Sequence, residues 1–141
     1  MLLEFKTKNY KSFVEEASFS MVAAPKQKGL DYSLMKTKIK GKEIKGLSSS
    51  VIYGPNAAGK TNIIGAMDVL RAIVLRGNIR NSEEKSSPNP AAAALELIPN
   101  NNEMESKPVC FEIEFYEEDG EDHKFKIHYE LEVDLGTFLE E

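Results

Sequence analysis

Cysteine, long apolar runs and internal repetition are all scarce in this chain of 141 residues, and each scarcity removes a class of protein. Cys110 is the only cysteine, so no internal disulfide can form, and a reducing compartment is the expectation. No apolar run approaches the roughly 18 to 20 residues that a membrane span requires. The opening residues, Met1-Leu2-Leu3-Glu4-Phe5-Lys6, lack the charged, apolar and small-residue succession of a signal peptide. A cytoplasmic location with no membrane partner is therefore expected. Neither an internal repeat nor a coiled-coil heptad is visible. The length allows one domain with a modest core.

The formal charge of −5 hides a division along the chain. Lys26, Lys28, Lys36, Lys38, Lys40, Lys42 and Lys45 crowd one stretch, whereas carboxylates dominate after residue 95. Without interleaved arginine and aromatic residues, the basic stretch reads as a solvated lysine-rich hairpin in preference to a nucleic-acid surface, and nucleic acid stays open as a partner.

Residues 54 to 61 read Gly-Pro-Asn-Ala-Ala-Gly-Lys-Thr, a complete G-x-x-x-x-G-K-[ST] phosphate-binding loop. A chain that wraps a nucleotide's phosphates must turn so tightly that consecutive backbone N–H groups point inward, and side chains would obstruct that approach. Gly54 and Gly59 supply the room, with Pro55, Asn56, Ala57 and Ala58 between them. Lys60 is the expected catalytic residue, able to reach the β- and γ-phosphate oxygens as a mobile point charge. The hydroxyl of Thr61 is the natural ligand for a Mg2+ ion bridging them. ATP and Mg2+ are thus the expected cofactors. Asn56 and Asn62 flank the loop and could bond to phosphate or to the loop's own backbone, the structural role being favoured.

The flanking patterns suit that loop. Ser48-Ser49-Ser50-Val51-Ile52-Tyr53 is a β-branched and aromatic run expected to form a buried strand ending at Gly54. Downstream, Ile63, Ile64, Met67, Leu70 and Val74 recur at three- and four-residue steps, which predicts one apolar helix face. Arg71 and Arg76 suit the negative end of that helix, and Gly77 is placed to stop it.

The remainder divides by its periodicity. Leu3, Phe5 and Thr7, and then Ala17, Phe19 and Met21, alternate with polar residues and predict an opening β-hairpin over 1–22. A second pair of short strands is expected to turn near Gly41. The strand, phosphate loop and helix occupy 51–77, and a polar stretch rich in Asn, Ser and Pro occupies 78–108 as a loop or insertion, in which Ala91 to Ile98 could form one helical turn or one short strand. Alternation returns over 109–134, where Val109, Phe111, Ile113 and Phe115 answer Phe125, Ile127, Tyr129, Leu131 and Val133 across a predicted hairpin. Parity joins odd residues to odd ones, and a three-residue loop over 118–120 with Gly120 left-handed would set Glu114 opposite Lys124 and Glu112 opposite Lys126. His123 and His128 then read as solvated residues in preference to metal ligands.

The opening strand, the element Asn9-Tyr10-Lys11-Ser12-Phe13 and the stretch Val51 to Asn62 together resemble the amino-terminal start of ABC-class ATPase heads of the SMC/RecF type. Within that class the chain is most similar to prokaryotic stand-alone AAA-type ATPases related to the OLD family, several of which act with nuclease or toxin partners in phage defence. The resemblance continues through Lys107-Pro108-Val109 to Phe115. It implies an α/β fold, the amino-terminal lobe of a P-loop NTPase head built from antiparallel hairpins and a central phosphate-loop helix. It also implies that Lys11 lies near the phosphates, that two heads close around two ATP molecules, and that a nuclease, a toxin or nucleic acid is the partner acted upon.

Such heads further require an acidic pair ending an apolar strand, a glutamine loop and a serine-glycine signature, none of which is found. Leu131-Glu132-Val133-Asp134 alternates and does not read as a buried strand ending in a catalytic acid. The expectation is an amino-terminal part of a longer ATPase, or a fold completed by a second chain, that binds nucleotide weakly and hydrolyses it little alone. An ABC transporter subunit fits less well, because that branch carries an aromatic adenine platform ahead of a serine-rich loop. A P-loop GTPase would carry an Asn-Lys-x-Asp guanine reader, which is absent. A scaffold that binds ATP without turnover stays open.

Overall fold

Alternation of apolar and charged residues produces a four-stranded antiparallel sheet, and among the described residues one α-helix packs on its apolar side. The computed structural model describes residues 1–25, 29, 31–77, 79, 95, 97–100, 107–119 and 123–134. The order of the sheet is β2-β1-β5-β6, formed by β1 (Leu2–Lys8), β2 (Ala17–Ser20), β5 (Val109–Glu118) and β6 (Lys124–Val133). Between them lie a separate hairpin of β3 (Leu34–Ile39) and β4 (Lys42–Leu47), and the helix α1 (Lys60–Arg76).

The pleat sorts the side chains by parity. Leu3, Phe5 and Thr7 of β1, Val109 and Phe111 of β5 and Val133 of β6 are buried. Phe5, Tyr10, Val109, Phe111 and Val133 form one core with Ile63, Ala66, Val69, Leu70 and Ile73 of α1. The opposite face carries Glu4, Lys6, Glu112, Glu114, Lys126 and His128, and there Lys6 Nζ lies 3.0 Å from Glu112 Oε1 across the β1–β5 ladder.

The helix face differs from the one its spacing predicts. Ile63 and Leu70 are buried and Met67 packs against the core as the spacing predicts, but Ile64 and Val74 are 55% and 56% exposed, and Ala66, Val69 and Ile73 complete the buried stripe. The helix is apolar around much of its circumference, so spacing alone permits either stripe; small residues decide between them. A Cβ on Gly65 would stand 3.2 Å from the Tyr10 hydroxyl, so Gly65 and the fully buried Ala66 let α1 settle closely against Tyr10 and the sheet. Gly77, with φ 68°, ends the helix in the left-handed conformation and donates its N–H to Ile73 O at 2.8 Å.

Val51-Ile52-Tyr53 does not form the expected buried strand. Val51 is 84% and Tyr53 90% exposed, and no strand pairs with this stretch among the described residues. A strand of that composition is stable only with neighbours beside it and cover on both faces, which the antiparallel elements here do not provide.

The β5–β6 hairpin keeps the predicted parity but not the predicted register. Glu118 pairs with Lys124, Tyr116 with Lys126, Glu114 with His128 and Glu112 with Glu130. Strand β5 runs through Glu118, and the Asp119 N–H donates to His123 O at 3.0 Å, so the connection lies farther along than 118–120. Parity fixes which faces meet and leaves slips of two or four residues open, and the observed register sets Val109 opposite Val133 with ten pairs along the ladder. The expectation for Gly120 lies outside the described residues, as do those for Lys26, Lys28 and most of Ala91 to Ile98.

In the second hairpin Lys40 and Gly41 have φ of 47° and 78°, the two positive values of a type I′ turn, and Ile39 pairs with Lys42 across it. The chain after β2 joins this hairpin through Leu47 N–H to Met21 O at 2.7 Å. No helix among the described residues is long and apolar enough to cross a membrane.

Candidate phosphate-binding site

The segment from Gly54 to Thr61 turns sharply and feeds directly into α1. Ala57 and Gly59 take left-handed φ values of 65° and 80°, and Gly59 is the residue preceding the first helical turn. The carbonyl of Gly59 accepts the N–H groups of Asn62 at 2.9 Å and Ile63 at 3.2 Å. Among the described residues no backbone acceptor meets the N–H groups of Lys60 and Thr61, which are the donors a helix start leaves free. With the positive end of the helix dipole behind them, they favour an anion at this point.

Lys60 bends back over its own loop. Its ammonium donates to Gly54 O at 2.9 Å and to Pro55 O at 2.6 Å, so the side chain spans the loop from helix to entry. Thr61 is exposed on the first turn of the helix, one residue along. Asn56 and Ala57 form the exposed tip, and Ala58 N–H reaches Pro55 O at 3.4 Å. Gly54 through Thr61 therefore bring together free amides, one ammonium and one hydroxyl. That donor set fits a nucleotide's phosphates with Mg2+, with Lys60 on the phosphate oxygens and Thr61 offering the metal an oxygen ligand.

The β1–β2 connection forms one wall of this site, which the sequence pattern does not specify. Phe13 and Tyr10 exchange backbone hydrogen bonds of 3.0 and 2.8 Å, closing a tight turn. The turn lies so near the loop that a Cβ on Gly59 would meet Phe13 Cε1 at 2.9 Å and Ser12 Oγ at 3.2 Å. Asn62 Nδ2 donates to Ser12 Oγ at 2.7 Å. Lys11, whose φ is 48°, places its ammonium 5.6 Å from the Tyr10 ring centroid, a cation–π arrangement. Ser12 and Phe13 were not among the expected site residues; the only signal for them in the sequence is their membership of Asn9-Tyr10-Lys11-Ser12-Phe13.

Part of the 78–108 stretch braces that turn. Lys11 N–H donates to Ile98 O at 2.8 Å, and Asn100 Nδ2 donates to Lys11 O at 2.6 Å. Asn9, buried and with φ 53°, sends Nδ2 to Lys107 O at 2.8 Å.

On the other face of the sheet Glu112, Glu114 and His128 bring ligand-type atoms within 4.8 Å of one another. Each is engaged in an ion-pair network: Lys6 with Glu112, Lys126 with Glu114 at 2.7 Å, and His128 Nε2 with Glu130 at 2.7 Å. The hydrogen bond from Lys126 holds the Glu114 carboxyl below its usual range, and the hydrogen bond to Glu130 raises His128. Desolvation pushes the Cys110 thiol up, which keeps it protonated and poorly nucleophilic.

A family model described as AAA domain, putative AbiEii toxin, Type IV TA system matches residues 49–140. No curated protein and no solved structure matches the chain.

Proposed function

We propose, for a chain that belongs to the AAA-domain family described as putative AbiEii toxin of a Type IV TA system, that residues 54–62 bind ATP with Mg2+ and that the complete protein couples its hydrolysis to a switch. One observation carries this reading. The loop presents the free amides at the start of α1, the Lys60 ammonium and the Thr61 hydroxyl on one short stretch of backbone. In the bound state Lys60 would exchange the carbonyls of Gly54 and Pro55 for phosphate oxygens, while Thr61 would hold the ion through its hydroxyl. A bound Mg2+ neutralises phosphate charge as it develops in the transition state.

The finer assignment is an SMC/RecF-like head of the OLD-related type, in which two heads close around two nucleotides. It is supported by the packing of the Asn9–Phe13 turn on the phosphate loop, the element that carries the resemblance. The family's description, with its toxin and toxin–antitoxin terms, favours a toxin or nuclease effector over a transport role. Positioning and charge neutralisation supply most of phosphoryl-transfer catalysis, and no apolar strand ending in an acidic pair occurs in these 141 residues.

The test is steady-state phosphate release and ATP affinity of the full-length protein beside Lys60→Ala. Loss of both in the variant is expected. Equal phosphate release by the two proteins would dispose of the catalytic reading, and equal affinity would dispose of the site.

A further inference from the structure

We infer that Ser12 is a positioning residue of the phosphate loop, acting through Asn62, and that the β1–β2 turn is a fixed wall that sets the loop's shape for nucleotide. The inference rests on the nucleotide-binding reading of residues 54–62.

A hydroxyl offers two lone pairs and one proton. Ser12 uses a lone pair to accept from Asn62 Nδ2 at 2.7 Å, which ties the turn directly to α1. Asn62 belongs to the first turn of α1, immediately after Lys60 and Thr61. Holding its amide therefore fixes the rotation of the helix start, on which the directions of the Lys60 and Thr61 groups depend. A Cβ on Gly59 would meet the same Ser12 oxygen at 3.2 Å and the Phe13 ring edge at 2.9 Å, so the turn leaves no room for the loop to shift toward it, and a shift away would break the Ser12–Asn62 bond.

A wall is useful only if it is itself immobile. Tyr10, fully buried, packs at 6.0 Å centroid distance against Phe111 of β5. The turn is closed by its two Tyr10–Phe13 backbone bonds and braced from behind by Ile98 O and Asn100 Nδ2 on the backbone of Lys11. Sheet, brace, turn and loop thus form one continuous chain of contacts, and Ser12 is its last link. Ser12 is exposed, so its removal takes away an orienting bond while leaving the core untouched.

The test uses the full chain, a fluorescent ATP analogue with Mg2+, and the variants Ser12→Ala, Asn62→Ala, their double, and Ser12→Thr. Each alanine variant is expected to weaken binding about fivefold, on the order of one hydrogen bond. The double variant should be no weaker than either single one, because both remove the same bond. Ser12→Thr keeps the hydroxyl and should bind as wild type does, and the thermal midpoint should hold across the set. Unchanged affinity in Ser12→Ala, or losses that multiply in the double variant, would overturn the proposal. If the wild-type chain bound no analogue, the nucleotide reading itself would fall, and amide hydrogen exchange over Gly59–Ile63 would still decide the role of Ser12. There Ser12→Ala should speed exchange about fivefold and Ser12→Thr should not; equal rates in all three would refute it.

Discussion

The edge of the Phe13 ring stands 2.9 Å from the point a Cβ on Gly59 would occupy. Gly59 is thus required twice, once by its φ of 80° and once by the ring beside it. Replacing it with alanine costs about 1–2 kcal/mol in left-handed backbone strain, and the turn must also move. Gly59→Ala is expected to lose nucleotide binding, measured by titration with an ATP analogue. Adding Phe13→Ala should recover only the steric part, leaving binding still weaker than wild type.

The corrected helix face makes opposite predictions for adjacent residues. Ile63 is 6% exposed and belongs to the core, whereas Ile64 is 55% exposed. Ile63→Ala should destabilise the fold by about 2–5 kcal/mol, and Ile64→Ala should stay within about 0.5 kcal/mol of wild type. Urea denaturation of the two variants checks this. Equal losses in the two variants would restore the stripe that spacing predicts, which contains both residues.

Thr7 is 1% exposed, and among the described residues its hydroxyl oxygen has no hydrogen-bond partner. A buried hydroxyl without a partner loses its hydration for nothing in return. Thr7→Val keeps the shape and the β-branched fit to the strand, and should raise stability by about 1 kcal/mol. The thermal midpoint is expected to rise by a few degrees.

His128 is raised first by its hydrogen bond to Glu130 and then by that to Glu114, with Glu112 adding charge. A group whose folded pKa is raised stabilises fully below its unfolded value, about 6.5, and that contribution fades as pH climbs through the folded value. Because the site is exposed the effect is small. Thermal midpoints recorded from pH 6 to 8.5 should fall slightly for wild type relative to His128→Gln. Glu114, held low by Lys126, titrates below this window with the opposite sign and does not confuse it.

The sharp turn of residues 54–61 into α1 is legible because a G-x-x-x-x-G-K-[ST] pattern puts glycine where left-handed backbone is needed and leads into an apolar helix pattern, and the alternation in β1, β5 and β6 is legible because a pleated sheet sorts neighbours to opposite faces. What failed depended on partners distant in sequence. The helix stripe was set by Tyr10 against Gly65 and Ala66, which no periodicity reveals. The hairpin register obeyed parity, yet its absolute value depended on how far β5 extends. Val51-Ile52-Tyr53 carries strand propensity, and propensity yields no strand without neighbours to pair with. The contact of Ser12 with Asn62 spans fifty positions, a distance at which a single sequence is silent.

Strand β6 carries ten residues along the outside of its sheet with no second neighbour among the described residues. Such a margin invites intermolecular pairing, and natural proteins discourage it with charge. Lys124, Lys126, His128, Glu130 and Glu132 alternate along it, so charges of both signs line this margin, away from residues 54–61. Neutralising them is expected to favour edge-to-edge pairing between copies while leaving the loop at residues 54–61 intact.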